Sequence, residues 1–175
     1  PLVADGRHFG FLRRDGLEPL AVVLDVVQRR YVHAWNRGEV AQHSLATPTQ
    51  VVLSSNGSKL YVAAFGSGKI GAFDTADIED SNFEINFNPS AESPNYIPTV
   101  GGGPSGLVLD ESNPSDHRLY VMTRFDNSVS VVNLGTGGET AHLALHNPDP
   151  PEVVNGRRFL YDAVLPSGHG DSACS

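Results

Sequence analysis

Three segments of the chain, set on their tyrosines, align over fifteen positions without a gap: YVHAWNRGEVAQHSL from Tyr31, YVAAFGSGKIGAFDT from Tyr61 and YVMTRFDNSVSVVNL from Tyr120. An internal repeat constrains a fold more tightly than composition does, because each unit must bury its apolar face against its neighbours in the same way. Val follows Tyr in each segment, and a β-branched residue stands nine positions after it (Val40, Ile70, Val129). A turn-type pair stands six and seven positions after it: Arg37-Gly38, Ser67-Gly68 and Asp126-Asn127. Upstream lies a second shared element, EPLAVVLD from Glu18, TPTQVVLS from Thr47 and GPSGLVLD from Gly103. From its Pro to the Tyr the separations are 12 (31 − 19), 13 (61 − 48) and 16 (120 − 104) residues, so the loop between lengthens while the apolar runs keep their length.

Three strands per unit follow: a continuous apolar run expected to be buried on both faces, an alternating run opening at Tyr-Val, and another ending in Asp or Asn. A fourth is expected at YIPTV (96–100) and TAHLAL (140–145). With 18 Gly, 12 Pro and one Met, the composition also leans all-β. Four-stranded antiparallel units at this spacing are the pattern of β-propeller blades, with the continuous run lining the central channel. The polar stretch ADIEDSNFEINFNPSAESPN (76–95) reads as an insertion between the third and fourth strands of its unit.

Over residues 18–145 the chain resembles the YVTN family of β-propeller repeats, whose pattern is Pro, an apolar strand, Tyr-Val-Thr-Asn, Val-x-Val-Ile-Asp and a later strand leading into Gly-x-x-Pro. Here the tetrapeptide reads YVHA, YVAA and YVMT, so its asparagine is missing from all three. The third unit is nearest the pattern, with NSVSVVNL and PTVGGGPSGLVLD. The resemblance implies an all-β fold, a partial propeller of the seven-bladed type with about three four-stranded antiparallel blades at 18–47, 48–100 and 101–146. Residues 1–17 are expected to be the end of a preceding blade or a linker. Three blades do not close a ring, so the end blades should expose apolar faces that neighbours cover. The expected partners are therefore the remaining blades, on the same polypeptide or on an identical chain. A chain that opens on Pro1 and closes on GHGDSACS reads as a piece of a longer one.

From Asn147 the pattern changes. Pro148, Pro150 and Pro151 are expected to end the last blade and form a stiff linker, leaving an irregular C-terminal tail over 147–175. The sequence GRRFLYDAVLPSGHGDSACS resembles the entrance to the di-haem cytochrome c peroxidase and MauG-like family, matching at Gly156, Arg157, Leu160, Tyr161, Asp162, Ser167, Gly170 and Cys174. The resemblance implies that Cys174 is the first thioether residue of a c-type haem, on condition that Cys and His follow in a C-x-x-C-H motif. Taken with the residues present alone, Cys174 reads as an exposed, unreactive thiol, and Arg157 and Asp162 as a surface pair.

Other chemistry is thinly signalled. Twelve Lys and Arg against twenty Asp and Glu give a net charge of −8, which disfavours nucleic acid as a partner. Apolar runs of about five to seven residues fall far short of the ~20 that span a bilayer, so no membrane insertion is expected. A lone cysteine excludes an internal disulfide framework. His142 and His146 are four apart on a strand and its exit, a fortuitous pair rather than a metal site. Asp110, Ser112, Asn113 and Asp116 supply oxygens but lack the Gly and terminal Glu of a calcium loop, so a solvated turn is expected. Gly101 to Gly103 open a strand, not a phosphate-binding helix. Asn56-Gly57-Ser58 reads as a turn despite its formal glycosylation sequon. Catalytic residues and metal ligands are expected to be absent. The leading functional expectation is a non-catalytic module that scaffolds or docks a haem domain in a secreted or periplasmic protein. The alternatives are a part of a haem-dependent oxidoreductase and, more distantly, a lactonase-like hydrolase.

Overall fold

The computed structural model describes residues 43–79 and 93–165, and the backbone of residues 2–4 and 9–11. Strand β1 (Leu2–Ala4) pairs antiparallel with β2 (Phe9–Phe11), Leu2 lying opposite Phe11. Most of the expected first unit, 18–47, lies outside the described residues, as does the stretch 80–92. The rest is mostly β. Sheet one runs β3 (Pro48–Leu53), β4 (Lys59–Ala64), β5 (Lys69–Asp74) and β6 (Ile97–Pro98), and sheet two runs β7 (Pro104–Asp110), β8 (Arg118–Thr123), β9 (Ser128–Asn133) and β10 (Gly138–Ala144). Each is four-stranded and antiparallel, its strands hydrogen-bonded in chain order. A short helix, α1 (Thr75–Glu79), and a 3-10 turn at Ser93–Asn95 lie between β5 and β6.

The two sheets are built alike at positions aligned in the sequence. A register shift follows the opening proline of each, between Pro48 and Gln50 and between Pro104 and Gly106. The residue before that proline is left-handed in both, Thr47 at φ 52° and Gly103 at φ 59°. Each accepts a bond from the next hairpin turn: Phe65 N–H donates to Thr47 O at 2.9 Å and Arg124 N–H to Gly103 O at 3.0 Å. The fourth turn residue is left-handed too, Gly68 at φ 60° and Asn127 at φ 57°. Asparagine tolerates that conformation better than other side-chain-bearing residues. At Gly102 and Gly103 the positive φ coincides with close approach, since a Cβ at either position would lie 2.7 or 2.6 Å from the Phe125 ring.

One expectation is corrected. The VVL and LVL runs are not the deepest strands: Leu53 is 51% exposed and Val108 64% exposed, whereas β4 is buried from Leu60 to Ala64. The cause is position in the sheet. β3 and β7 are edge strands, while β4 and β8 sit between two neighbours.

The core lies on both faces of sheet one. On one face Leu60, Val62, Ala64, Phe73 and Tyr96 pack around Leu45, which precedes the sheet. On the other, Tyr61, Ala63, Ile70 and Ile97 pack against Leu107, Leu119, Val121 and Val132 of sheet two. Strict alternation along β4 sends Leu60, Val62 and Ala64 one way and Tyr61 and Ala63 the other, as a pleated strand requires. Burial pushes the Tyr61 phenol's pKa above its usual value. Side chains of β3 join its edge to β7. Gln50 Nε2 donates to Leu107 O at 3.2 Å, and its Oε1 accepts from Leu107 N–H at 2.9 Å. Thr49 Oγ1 adds a bond to Pro104 O at 3.1 Å, and Glu111 Oε2 accepts from Ser55 N–H at 2.7 Å.

The tail is also corrected. Residues Pro151–Tyr161 form a helix, α2, instead of continuing an irregular linker. Pro151 stands in the first turn, where a missing N–H costs no intrahelical bond and a fixed φ favours the helix. Pro150 O accepts from Val153 N–H at 3.0 Å and Val154 N–H at 3.1 Å. Glu152 in the first turn and Arg158 in the last suit the helix dipole. Asp162 ends it in an extended conformation, and its Oδ1 accepts from Val164 N–H at 2.7 Å.

Replacing Gln50 with Ala leaves the Leu107 edge without its amide partner, a loss on the order of 1–3 kcal/mol by the cost of stranded part-buried polar groups. Denaturant titration should show that loss. Hydrogen exchange should speed at the Leu107 amide more than at Val62.

Candidate functional site

One end of the two sheets collects the hairpin turns Phe65–Gly68 and Arg124–Asn127, the entry segments before β3 and β7, and the chain leaving β10. Phe65 and Phe125 meet edge to face with ring centroids 5.2 Å apart, and Tyr161 of α2 meets Phe65 the same way at 5.6 Å. Beyond the helix, Ala163 is fully buried and its N–H donates to Gly66 O at 2.8 Å. Arg157 forms an ion pair with Asp149 and donates from Nη1 to Arg124 O at 3.1 Å. The tail is thus a strap across both sheets. Arg157 and Asp162 do not pair with each other: Arg157 bonds to Asp149 and Arg124, while Asp162 caps the chain behind it.

Beside the strap lies a compact ionisable cluster. His142 on β10 donates from Nε2 to Asp126 Oδ2 and from Nδ1 to Glu139 Oε1, each at 2.7 Å, with Ser130 Oγ also 3.0 Å from Nδ1. Both carboxylates are anchored further. Asp126 Oδ1 accepts from Thr123 Oγ1 at 2.9 Å, and Glu139 Oε2 accepts from Val100 N–H at 3.2 Å. The cluster therefore ties the last strand of sheet two to a hairpin turn and to the chain joining the sheets. Burial of the imidazole works against its charged form, but hydrogen bonds to Asp126 and Glu139 outweigh it and raise the His142 pKa above the usual 6.5.

The arrangement is a clasp in which one imidazole meets two carboxylates and the Ser130 hydroxyl. Among the described residues no group of three or more His, Cys, Asp or Glu side chains could hold a metal ion. His142 and His146 are not brought together as ligands: the His142 ring is held by carboxylates, and His146 is engaged through its carbonyl, which accepts from Asn127 Nδ2 at 2.8 Å. At the opposite end of the sheets, Asp110 Oδ1 accepts from Ser112 N–H at 2.9 Å and Asn113 Oδ1 from Ser115 N–H at 3.0 Å. Asp116 pairs with Arg118 and Asn133. Those oxygens are engaged within the loop and by the strands beside it. Ser112 holds the Asp110 carboxyl below its usual range, and Arg118 does the same for Asp116. Asn56-Gly57 is a turn, with Gly57 at φ 75° and its N–H donating to Ser54 O at 2.9 Å. Cys174 lies outside the described residues. Covalent c-type haem needs two thioether sulfurs and an axial histidine, and one cysteine in the sequence does not complete that donor set.

No protein-family model matches the chain, and no curated protein matches it. No helix among the described residues is long and apolar enough to cross a membrane.

Two outcomes are expected. A group whose pKa is raised by folding adds stability below its unfolded value, and that contribution is lost as pH rises through the folded value. His142→Gln should therefore cost more stability at pH 5.5 than at pH 8.5 in matched thermal melts. Equal cost at both pH values removes the clasp. Tyr161→Ala should release the strap at a cost of about 0.5–1.5 kcal/mol, the range for an aromatic pair. Limited proteolysis within 151–165 should accelerate while exchange in β4 and β8 stays slow.

Proposed function

We propose that the chain is a non-catalytic β-propeller module whose stacked four-stranded sheets scaffold and orient a haem domain in a larger secreted or periplasmic c-type cytochrome. Its partners are the remaining blades and the adjacent haem domain, and redox chemistry belongs to that domain. The observation that carries the reading is the strap. Ala163 is buried and bonded to Gly66, and Tyr161 stacks on Phe65, so the chain approaching Cys174 starts from a fixed point on the sheets. A spacer needs no such anchorage; a part that orients its neighbour does. The acidic balance of −8 supports a partner other than nucleic acid.

In the proposed parent protein, Cys174 is one of the two thioether residues and is followed by Cys and His. The native polypeptide carrying this chain is expected to show a Soret band and haem retained on a denaturing gel. Its digest should yield a haem-bearing peptide that contains Cys174. A native polypeptide without covalent haem ends the reading.

A further inference from the structure

Both nitrogens of the His142 ring face carboxylates: Nε2 lies 2.7 Å from Asp126 Oδ2, and Nδ1 lies 2.7 Å from Glu139 Oε1. Only the imidazolium donates to both, since a neutral ring carries one N–H. A third group shares Nδ1. The Ser130 hydroxyl on β9 lies 3.0 Å from it, is shut off from water, and has no other hydrogen-bond partner among the described residues. While Nδ1 holds a proton, that hydroxyl can only accept, and its own buried O–H goes unpaired. Once Nδ1 is bare, it becomes the acceptor that the hydroxyl lacks. Glu139 and Ser130 therefore compete for one nitrogen, and the proton on it decides between them.

The two carboxylates are not held alike. Asp126 Oδ1 accepts from the fully buried Thr123 Oγ1 at 2.9 Å, and Gly101 backs the same carboxylate so closely that a Cβ there would collide with it. Glu139 stands at the register shift in β10, where a strand re-aims a side chain, and its second oxygen accepts from Val100 N–H at 3.2 Å. Val100 is 70% exposed and lies in the link between β6 and β7, which joins the two sheets. Among the described residues, the charged groups facing the ring are Asp126, from the turn between β8 and β9, and Glu139, from β10 itself. β9 presents the uncharged Ser130, and the link presents backbone alone.

We propose that His142 is a pH-operated latch between β10 and the link joining the sheets, closed by the charged ring through Glu139 to Val100 and opened by the neutral ring through Ser130. On opening, the Nδ1 proton passes to solvent, the Ser130 O–H turns to donate to Nδ1, and Nε2–H stays with Asp126. Nδ1 then turns its lone pair on Glu139 Oε1, and that repulsion drives the carboxylate off the ring and off the Val100 amide. Asp126 keeps both of its bonds, so the turn Arg124–Asn127 and the strap fixed to it stay in place. Against the opposing effect of burial, the hydrogen bonds to Asp126 and Glu139 raise the ring's pKa above the usual 6.5. The latch is thus closed below that pH and opens on its alkaline side.

NMR of the isotope-labelled 175-residue chain between pH 5 and pH 9 tests this. The Val100 backbone nitrogen is read by carbon detection, so that amide exchange at high pH does not erase it. The His142 ring is expected to titrate above 6.5, with the Val100 nitrogen moving at the same midpoint and the neutral ring protonated at Nε2. Ser130→Ala removes the donor to the neutral ring and should raise the midpoint, tightening proton binding about fivefold, the equivalent of one ordinary hydrogen bond. A hydroxyl that merely packed beside the charged ring would act the other way, its loss lowering the midpoint. Glu139→Gln should lower the midpoint and leave the Val100 nitrogen still through the titration. The proposal is overturned by a Val100 nitrogen that ignores the His142 titration or still follows it in Glu139→Gln. A neutral ring protonated at Nδ1 overturns it too, as does a midpoint unchanged or lowered in Ser130→Ala. Haem takes no part in the measurement, so its outcome is separate from that of the haem reading.

Discussion

The apolar seal between sheet one and sheet two is the contact on which the rest of the molecule depends. A four-stranded sheet of short strands has to bury an apolar face against a second layer. Here the second layer is another sheet of the same build, so each supplies what the other lacks. Branched side chains on the receiving face, Leu119, Val121 and Val132, meet small ones at Ala63 and Ala72, and this pairing lets the sheets approach closely. Ile70, Leu119, Val121 and Val132 lose all contact with water in the process. Each such side chain is worth about 1.5–3 kcal/mol of burial.

Apolar contact is non-directional and does not by itself decide how one sheet sits on the next. Polar contacts between the edge strands do. Gln50 reads the backbone of Leu107 as a strand would, with one donor and one acceptor, so it extends the ladder sideways across a gap that no strand crosses. Thr49 to Pro104 and Ser55 to Glu111 repeat the fixation at either end of the same edge. Three points along one line hold the edge of β3 against that of β7.

Much of this was legible in the sequence, and the reasons for the gaps are specific. Tyr61 and Tyr120 take the same place in β4 and β8, opposite Ala72 and Val131 of the strands that follow, as the gapless alignment requires. The turn pairs Ser67-Gly68 and Asp126-Asn127 announce left-handed residues by their chemistry, and Gly68 and Asn127 adopt that conformation. Burial of the first strand was misjudged because a run such as VVL reports apolar demand but not whether the strand ends up at an edge. Gln50 looks like one polar letter in TPTQVVLS, since its partner lies 57 residues away. The helix at Pro151 was hidden by its own prolines, which end a strand and open a helix with equal ease. The His142 clasp was invisible for a related reason: Asp126, Ser130 and Glu139 converge on it only after β9 and β10 have paired.

The two ends of the sheets differ in a way that bears on function. At the end carrying Asn56, Asp110, Asn113 and Asn133, short side chains bond to amides two or three residues on, and Ser55 to Glu111 and Asn133 to Asp116 supply longer-range ties. At the other end every turn is engaged by something distant: Gly66 by Ala163, Arg124 by Arg157, Asp126 by His142 and Asn127 by His146. The end that carries the strap fixes the direction in which the chain departs. Committing one end to the strap and clasp adds order beyond what the sheets require, and the docking role proposed for the chain calls for that order.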